Sequence, residues 1–301
     1  MSEIKSAVAL GNFDGVHLGH ISVLQKALFL KNEYGFQPIA LLFKSHPAEF
    51  FGKKLTLLTT YQKRNELIEK LGIKVVEIDF ESIKDMSPKE FVEEILVKRL
   101  NAGAVCCGFN YHFGKNSEGN SETLKQIANE KNIKVFVSEK VEIDSELISS
   151  SRIRKAISNG DITLANKMLG REFSFENEVV FGESRGKMLG FPTANQDFRK
   201  NIIIPKTGVY ASSCDIDEVT YFGFTDIGKR PTFDNGDVRA ETHLFDFEKD
   251  LYGRNIEIKL YKYLRNEKKF SSEKELINQL NIDKRAVIEY LKKETDVFSA
   301  D

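Results

Sequence analysis

The feature that most constrains the fold of this chain is a change of hydrophobic period near Leu169. Upstream of it, short apolar runs at residues 6–10, 38–43, 75–80, 102–107 and 133–137 read as strands, most of them without alternation. Strands of that kind are covered on both faces. The segments between them are helical in pattern. Ile21, Leu24 and Leu28 share one face, and Ser87-x-x-Glu90 with Pro88 forms a capping box ahead of Phe91, Val92, Ile95 and Leu96. This alternation predicts an α/β domain built on a doubly wound parallel sheet.

A helix pair at 151–158 and 162–169, joined at Asn159-Gly160 and capped by Asp161, closes the first part. Beyond it the period becomes two. Val238, Ala240, Thr242 and Leu244 lie on one face, with Arg239, Glu241 and His243 on the other. Ile256, Ile258 and Leu260 alternate with Glu257, Lys259 and Tyr261, and turn signals fall at Asp234-Asn235-Gly236 and Tyr252-Gly253. A second capping box, Ser272-x-x-Glu275, precedes a helical face of Val287, Tyr290 and Leu291. The second half therefore predicts a small antiparallel β-barrel with a terminal helix, and the domains are expected at 1–169 and 170–301.

Composition narrows the function classes. The 301 residues carry 44 basic and 45 acidic side chains, a net charge of -1, which argues against a dedicated nucleic-acid binder. No apolar run approaches the roughly 20 residues that span a bilayer, and residues 1–9 lack a signal-peptide pattern. A cytoplasmic protein is the expectation. Three cysteines without a CxxC motif support neither a disulfide framework nor a zinc site, and Cys106 and Cys107 point to opposite faces if their run is a strand.

Two strings in the first half carry chemistry. Gly11-Asn12-Phe13-Asp14-Gly15-Val16-His17-Leu18-Gly19-His20 joins the first strand to the first helix. Such a junction suits phosphate, because backbone N–H groups and the positive helix end face outward there. Gly11, Gly15 and Gly19 allow close approach of a ligand, and His17 and His20 can donate to phosphate oxygens. Ile148-Ser149-Ser150-Ser151-Arg152-Ile153-Arg154 sets hydroxyls and two arginines at a helix start; read alone, it is equally an N-cap with solvated bases.

Together these strings resemble the nucleotidyltransferases with HxGH and ISSTxxR signatures, and most closely the FMN adenylyltransferase module of prokaryotic FAD synthetases. The resemblance implies that His17, His20 and Arg154 stabilise the transferring phosphoryl group. It implies that Gly11, Asn12, Phe13, Asp14, Gly15, Gly19, Ser149, Ser150 and Ser151 line the ATP phosphates. Ser151 replaces the motif threonine. The family's FxPHP string appears as Phe43-Lys44-Ser45-His46-Pro47, with Ser45 for the first proline. Its GxDFxFG string appears as residues 108–114, with Asn110 for aspartate, and an arginine usual near Ser117 is absent. Asn110 and Phe113 are the flavin-binding candidates of this half.

The barrel half carries Gly182-Glu183-Ser184-Arg185-Gly186-Lys187-Met188-Leu189-Gly190-Phe191-Pro192-Thr193-Ala194-Asn195. Read physically, it is a glycine-punctuated loop with two cations, followed by two oxygen donors that magnesium accepts. The string resembles the riboflavin kinase motif with its PTAN core. That resemblance continues through residues 205–211, residues 226–233 (with Asp226 where the family more often has asparagine), the ETHLFDF segment at 241–247, and Leu251-Tyr252-Gly253. It implies that Gly182, Gly186, Lys187, Gly190 and Pro192 hold ATP, that Thr193 and Asn195 hold Mg2+, and that Glu241 is the base for the riboflavin 5′-hydroxyl. A cross-strand ion pair is the plainer reading of Glu241. Arg265 and Glu267 match a family LRxExKF segment beside the flavin, with a surface ion pair an equal contender.

Carried over nearly the whole chain, the resemblance implies riboflavin plus ATP giving FMN, then FMN plus ATP giving FAD. The substrates are small molecules, and neither nucleic acid nor membrane is a partner. Three rivals remain: a kinase whose adenylyltransferase half has lost its reaction, a flavin- or nucleotide-binding regulator, and a cytidylyltransferase, which leaves the barrel unexplained.

Overall fold

The computed structural model describes residues 4–182, 189–229 and 238–298, and the chain divides into two compact units, Met1–Arg152 and Ile153–Asp301. The first unit is a five-stranded parallel sheet of β1 (Ser6–Leu10), β2 (Gln37–Phe43), β3 (Lys74–Ile78), β4 (Ala102–Gly108) and β5 (Lys134–Ser138), in the order β3-β2-β1-β4-β5. The strand order reverses direction at β1, and in open α/β sheets ligands bind outside the carboxyl ends at such a point.

Both sheet faces are covered. Ala7, Ala9, Ala40, Leu42, Ala104 and Cys106 pack in one cluster with Leu24, Ala27 and Leu30 of helix α1 (Leu18–Tyr34). Val8, Leu10, Leu41, Val105 and Cys107 pack in another with Val92, Ile95, Leu96 and Leu124. Alternate residues of each strand serve opposite layers, which is why the central runs are almost wholly apolar. Cys106 and Cys107 do point to opposite faces. Burial pushes the Cys106 thiol up to about 12 and the Cys107 thiol up to about 11, so both stay neutral. The Ser87 capping box forms with both of its hydrogen bonds, and Pro88 opens the helix. The third apolar run ends earlier than expected, because Phe80 starts a short helix.

The second unit is a closed antiparallel barrel. Its strands are β6 (Phe173–Val180), β7 (Ala194–Asp197), β8 (Gly208–Ile216), β9 (Val219–Lys229), β10 (Val238–Leu244) and β11 (Asn255–Arg265), in the order β6-β7-β10-β9-β8-β11. Closure removes the exposed edges of the sheet. The inner face carries Ala240, Thr242, Ile227, Ile256, Ile258 and Leu260, all buried. A chain of hydroxyls crosses this interior: Thr225 donates to Ser212 at 2.9 Å and meets Thr242 at 2.8 Å. Outside, Val209, Ala211, Phe224 and Phe245 pack on Val287, Leu280 and Leu291 of the terminal helix (Glu273–Phe298). The start of that helix departs from the expected box. Glu275 donates its backbone N–H to the Ser272 hydroxyl, but its carboxylate takes the N–H and hydroxyl of Ser271.

The helix pair is observed at Ser150–Asn159 and Ile162–Leu169, with Asp161 capping the Leu164 amide as expected. The Asn166 side chain donates to the Leu260 carbonyl and accepts from the Phe173 amide, tying the second helix to the barrel strands. No helix among the described residues is long and apolar enough to cross a membrane.

Candidate active sites

The first site lies at the carboxyl end of β1. The backbone between strand and helix takes positive φ at Phe13, Gly15 and Val16 (52°, 79° and 40°), and the Val16 amide closes the turn on the Phe13 carbonyl at 2.9 Å. Positive φ is costly for a β-branched residue, and it persists here because Phe13 and Val16 anchor the loop in the core. His17 is the N-cap of α1: its Nδ1 accepts from the His20 amide at 3.3 Å. The two imidazoles stack, and the Phe13 ring meets His20 edge-on with centroids 5.4 Å apart. Gly19 leaves room beside the His17 ring, and Gly11 is covered by the ring of Phe13.

The second string is brought to the first. The Ser150 hydroxyl donates to the Asp14 carbonyl at 3.0 Å, and the Ile148 carbonyl is a neighbour of Gly19. Ser149 caps the Arg152 amide, and Ser151 is exposed on the first helical turn. Arg152 is turned away from this loop, onto the Ile143 and Glu146 carbonyls and the Glu146 carboxylate. Arg154 follows half-buried on the same helix. The Asp14 carboxylate accepts from the Leu58 amide at 2.9 Å, so it braces the loop from inside. Asn110 is exposed on the turn after β4, whereas the Phe113 ring is in the core against Phe91 and Tyr111.

One residue of this site was not singled out in the sequence. Arg64, only 3% exposed, donates to the Asn12 carbonyl at 3.3 Å and to the Phe43 carbonyl at 3.0 Å, joining the loop ends of β1 and β2. Glu77 lies 3.6 Å away, and the Tyr61 ring faces the guanidinium at 5.1 Å. The Tyr61 hydroxyl accepts the His46 amide, and the His46 ring meets the Asn12 side chain at 3.3 Å. The available signal was a helical arginine one turn before the apolar Ile68, on the buried face.

The second site lies on the outer face of the barrel. Asn195 of β7 stands opposite Glu241 of β10, which stands opposite Asp226 of β9. The Asn195 amide donates to the Thr193 hydroxyl at 3.4 Å and to its carbonyl at 3.3 Å, so the two oxygen donors of the PTAN segment are adjacent. Gly182 is packed against them: a Cβ there would lie 2.4 Å from Asn195 Nδ2. Glu241 is exposed, and the cation next to it on the strand, Arg239, forms a bidentate pair with Asp197 at 2.7 and 3.1 Å. His243 is buried among Phe191, Phe224 and Phe245, and its Nδ1 lies 2.9 Å from the Pro192 carbonyl. Burial lowers its pKa, so it is a neutral support of the PTAN turn.

Gly190 takes positive φ (83°) in the turn before Phe191. Gly186 and Lys187 lie outside the described residues, as do Arg230 to Phe233 of the matched string. Arg265 is engaged bidentately by Asp283, itself 3% exposed, at 2.9 and 2.7 Å. The sequence offered a surface ion pair for Arg265; the pair observed is with a buried carboxylate, Asp283 of the terminal helix. Glu267 is exposed and leans its carboxylate over Gly228.

Comparison with known proteins agrees with both halves. A family model described as FAD synthetase matches residues 1–152, and one described as riboflavin kinase matches residues 169–291. A bifunctional riboflavin kinase/FMN adenylyltransferase of Bacillus subtilis is 36% identical over 296 residues, covering 96% of this chain and 93% of the relative. One from Buchnera aphidicola subsp. Schizaphis graminum is 38% identical over 299 residues, covering 95% and 94%. A crystal structure described as a macrolide-efflux protein from Streptococcus pneumoniae superposes with a TM-score of 0.86 at 28% identity, covering 95% of each chain. With a parallel-sheet unit matched by the FAD synthetase model and a barrel matched by the riboflavin kinase model in one polypeptide, the chain belongs to the family of bifunctional riboflavin kinase/FMN adenylyltransferases.

Proposed function

We propose that this chain makes FMN at Glu241 of the barrel and FAD at the His17–His20 loop of the parallel-sheet unit. As a member of its family it is an ATP-dependent transferase that phosphorylates riboflavin and adenylylates FMN. The observation that carries the barrel assignment is the row Asn195–Glu241 on adjacent strands, with Thr193 beside it. There the riboflavin 5′-hydroxyl attacks the terminal phosphorus of ATP, its proton passes to Glu241, and ADP leaves. Thr193 and Asn195 offer neutral oxygen donors with room kept by Gly182, a set that fits Mg2+ with its other positions filled by phosphate and water. When bound, the ion neutralises charge on the phosphates. Gly182, Gly186, Lys187, Gly190 and Pro192 are proposed to hold the nucleotide, and Arg265 and Glu267 to border the flavin, with Arg265 braced by Asp283.

In the first unit, an FMN phosphate oxygen attacks the α-phosphorus of ATP and pyrophosphate leaves. His17, His20 and Arg154 are proposed to stabilise the charge that builds on that phosphoryl group, with the end of α1 and Ser149 to Ser151 around it. Asn110 is proposed to meet the flavin, and Phe113 to fix the turn that presents Asn110 from the core side. The domain boundary is proposed at 169/170, where the helix pair gives way to the barrel strands. We take the protein as cytoplasmic, where riboflavin and ATP meet.

A time course with riboflavin, ATP and magnesium tests the reading. FMN should appear first and FAD second. Glu241→Ala should stop the first step while supplied FMN is still converted, and His20→Ala should do the reverse. Either substitution silencing both reactions in folded protein would overturn the two-site assignment.

A further inference from the structure

Asn12, in the loop between β1 and α1, meets the ring of His46 at 3.3 Å. The ring is fixed by its own helix cap: Nδ1 accepts the Ala48 amide at 3.1 Å, where His46 starts the short helix Pro47–Phe50. With Nδ1 accepting, the neutral imidazole carries its proton on Nε2, the nitrogen that faces Asn12. The His46 backbone is held separately, because its N–H donates to the Tyr61 hydroxyl at 2.7 Å. The residue before it, Ser45, is exposed and leaves φ free to turn where a proline would fix it.

Tyr61 is itself firmly placed. It opens the helix Tyr61–Glu69, whose N-cap Thr60 accepts the Lys63 amide at 3.1 Å. Its ring faces the Arg64 guanidinium at 5.1 Å, and Arg64 is tied to the Asn12 and Phe43 carbonyls. Its hydroxyl also donates to the Glu49 carboxylate. Burial, the largest influence, raises the Tyr61 pKa, so the hydroxyl stays protonated and serves as donor and acceptor together. A path of contacts thus runs from Tyr61 through His46 to Asn12, and the next residue, Phe13, sets its ring edge-on against His20.

We infer that Tyr61 is a positioning residue for FMN adenylylation: its hydroxyl fixes the His46 backbone, and the His46 ring in turn fixes the Asn12 end of the loop that leads to His17 and His20. A site that works by placing donors around a phosphoryl group loses rate steeply when those donors are displaced. This inference rests on the reading of the His17–His20 loop as the adenylylation site.

The test is steady-state FMN adenylylation by full-length wild type, Tyr61→Phe, His46→Ala and the double variant, each assayed below its melting temperature. Tyr61→Phe keeps the ring on Arg64 and removes only the hydroxyl. Its kcat should fall about tenfold, with KM for FMN and for ATP within about twofold of wild type, because alignment is lost rather than binding. His46→Ala should fall at least as far. Because Tyr61 acts through His46, the double variant should match His46→Ala within about twofold. Riboflavin phosphorylation by the same preparations should be alike in all four. A wild-type kcat in Tyr61→Phe would overturn the inference. So would losses that multiply in the double variant, the result of two independent packing defects. His20→Ala run alongside separates the two readings. If it still adenylylates FMN, the site reading fails; if it is inactive while Tyr61→Phe keeps the wild-type kcat, only the role of Tyr61 fails.

Discussion

The imidazole rings of His17 and His20 stack face to face, with centroids 3.5 Å apart and planes 18° apart. The stack exists because His17 is both the N-cap of α1 and the acceptor of the His20 amide, so one side chain serves structure and, in the proposed reading, chemistry.

That double duty can be separated. His17→Ser should keep the cap, whereas His17→Ala should lose it and cost about 1 kcal/mol of stability. Both should lower FMN adenylylation by about 100-fold or more. Thermal melts combined with the two separate assays check this, and an active His17→Ser protein would remove His17 from the chemistry.

Arg64 holds two loop carbonyls from inside the first unit. Arg64→Ala leaves those carbonyls without their donors, a loss of about 1–3 kcal/mol. Arg64→Lys keeps the charge but cannot span both acceptors, so the GNFDG loop loses its brace. We expect turnover of FMN adenylylation to fall by about tenfold in the lysine variant, since small misplacements in a site tuned by position are costly. Riboflavin phosphorylation should stay at the wild-type rate.

Gly182→Ala places a methyl where Asn195 Nδ2 now sits, 2.4 Å from the new Cβ. The amide must move, and with it one of the two proposed magnesium donors. The magnesium concentration for half-maximal riboflavin phosphorylation should rise about tenfold, as when a ligand's support is lost. The magnesium dependence of adenylylation is the internal control, and a parallel rise there would argue against a local effect.

Asp226 links stability to pH. Its folded-state pKa is raised to about 6 from an ordinary value of 3.8, chiefly by burial. The stability held by the neutral carboxyl is therefore fully present below the unfolded value and is lost as the pH rises through about 6. Asp226→Asn removes this penalty. Its gain in melting temperature over wild type should be small at about pH 4 and reach a few degrees at about pH 7.5. A gain of equal size at both values would show that the carboxyl does not carry the effect.

The sequence by itself determined the class of each half and the identity of most site candidates. Apolar runs such as Val8 to Leu10, bounded by turn signals and alternating with helical segments, read as strands covered on both sides, and the Val238–Leu244 alternation reads as a two-faced strand, although His243 on its polar face is buried. Glycines, paired histidines and the Thr-x-Asn pair announce their chemistry locally, because they are rare residue types at junctions where backbone groups face outward. Tertiary structure alone decided which side chains met. Arg64 reads as one more helical cation until β1 and β2 bring two carbonyls to it. Arg265 reads as a flavin contact or a surface charge until the terminal helix presents Asp283. Phe113 reads as part of a binding string until its ring is found in the core. Asp226 reads only as an aspartate where the resemblance more often has asparagine, until register sets it against Glu241 and Glu267 leans over Gly228. The physical reason is common to all four. A side chain's chemistry is local, but its partners and its solvent are fixed by contacts between segments far apart in the chain, and periodicity carries no record of those contacts.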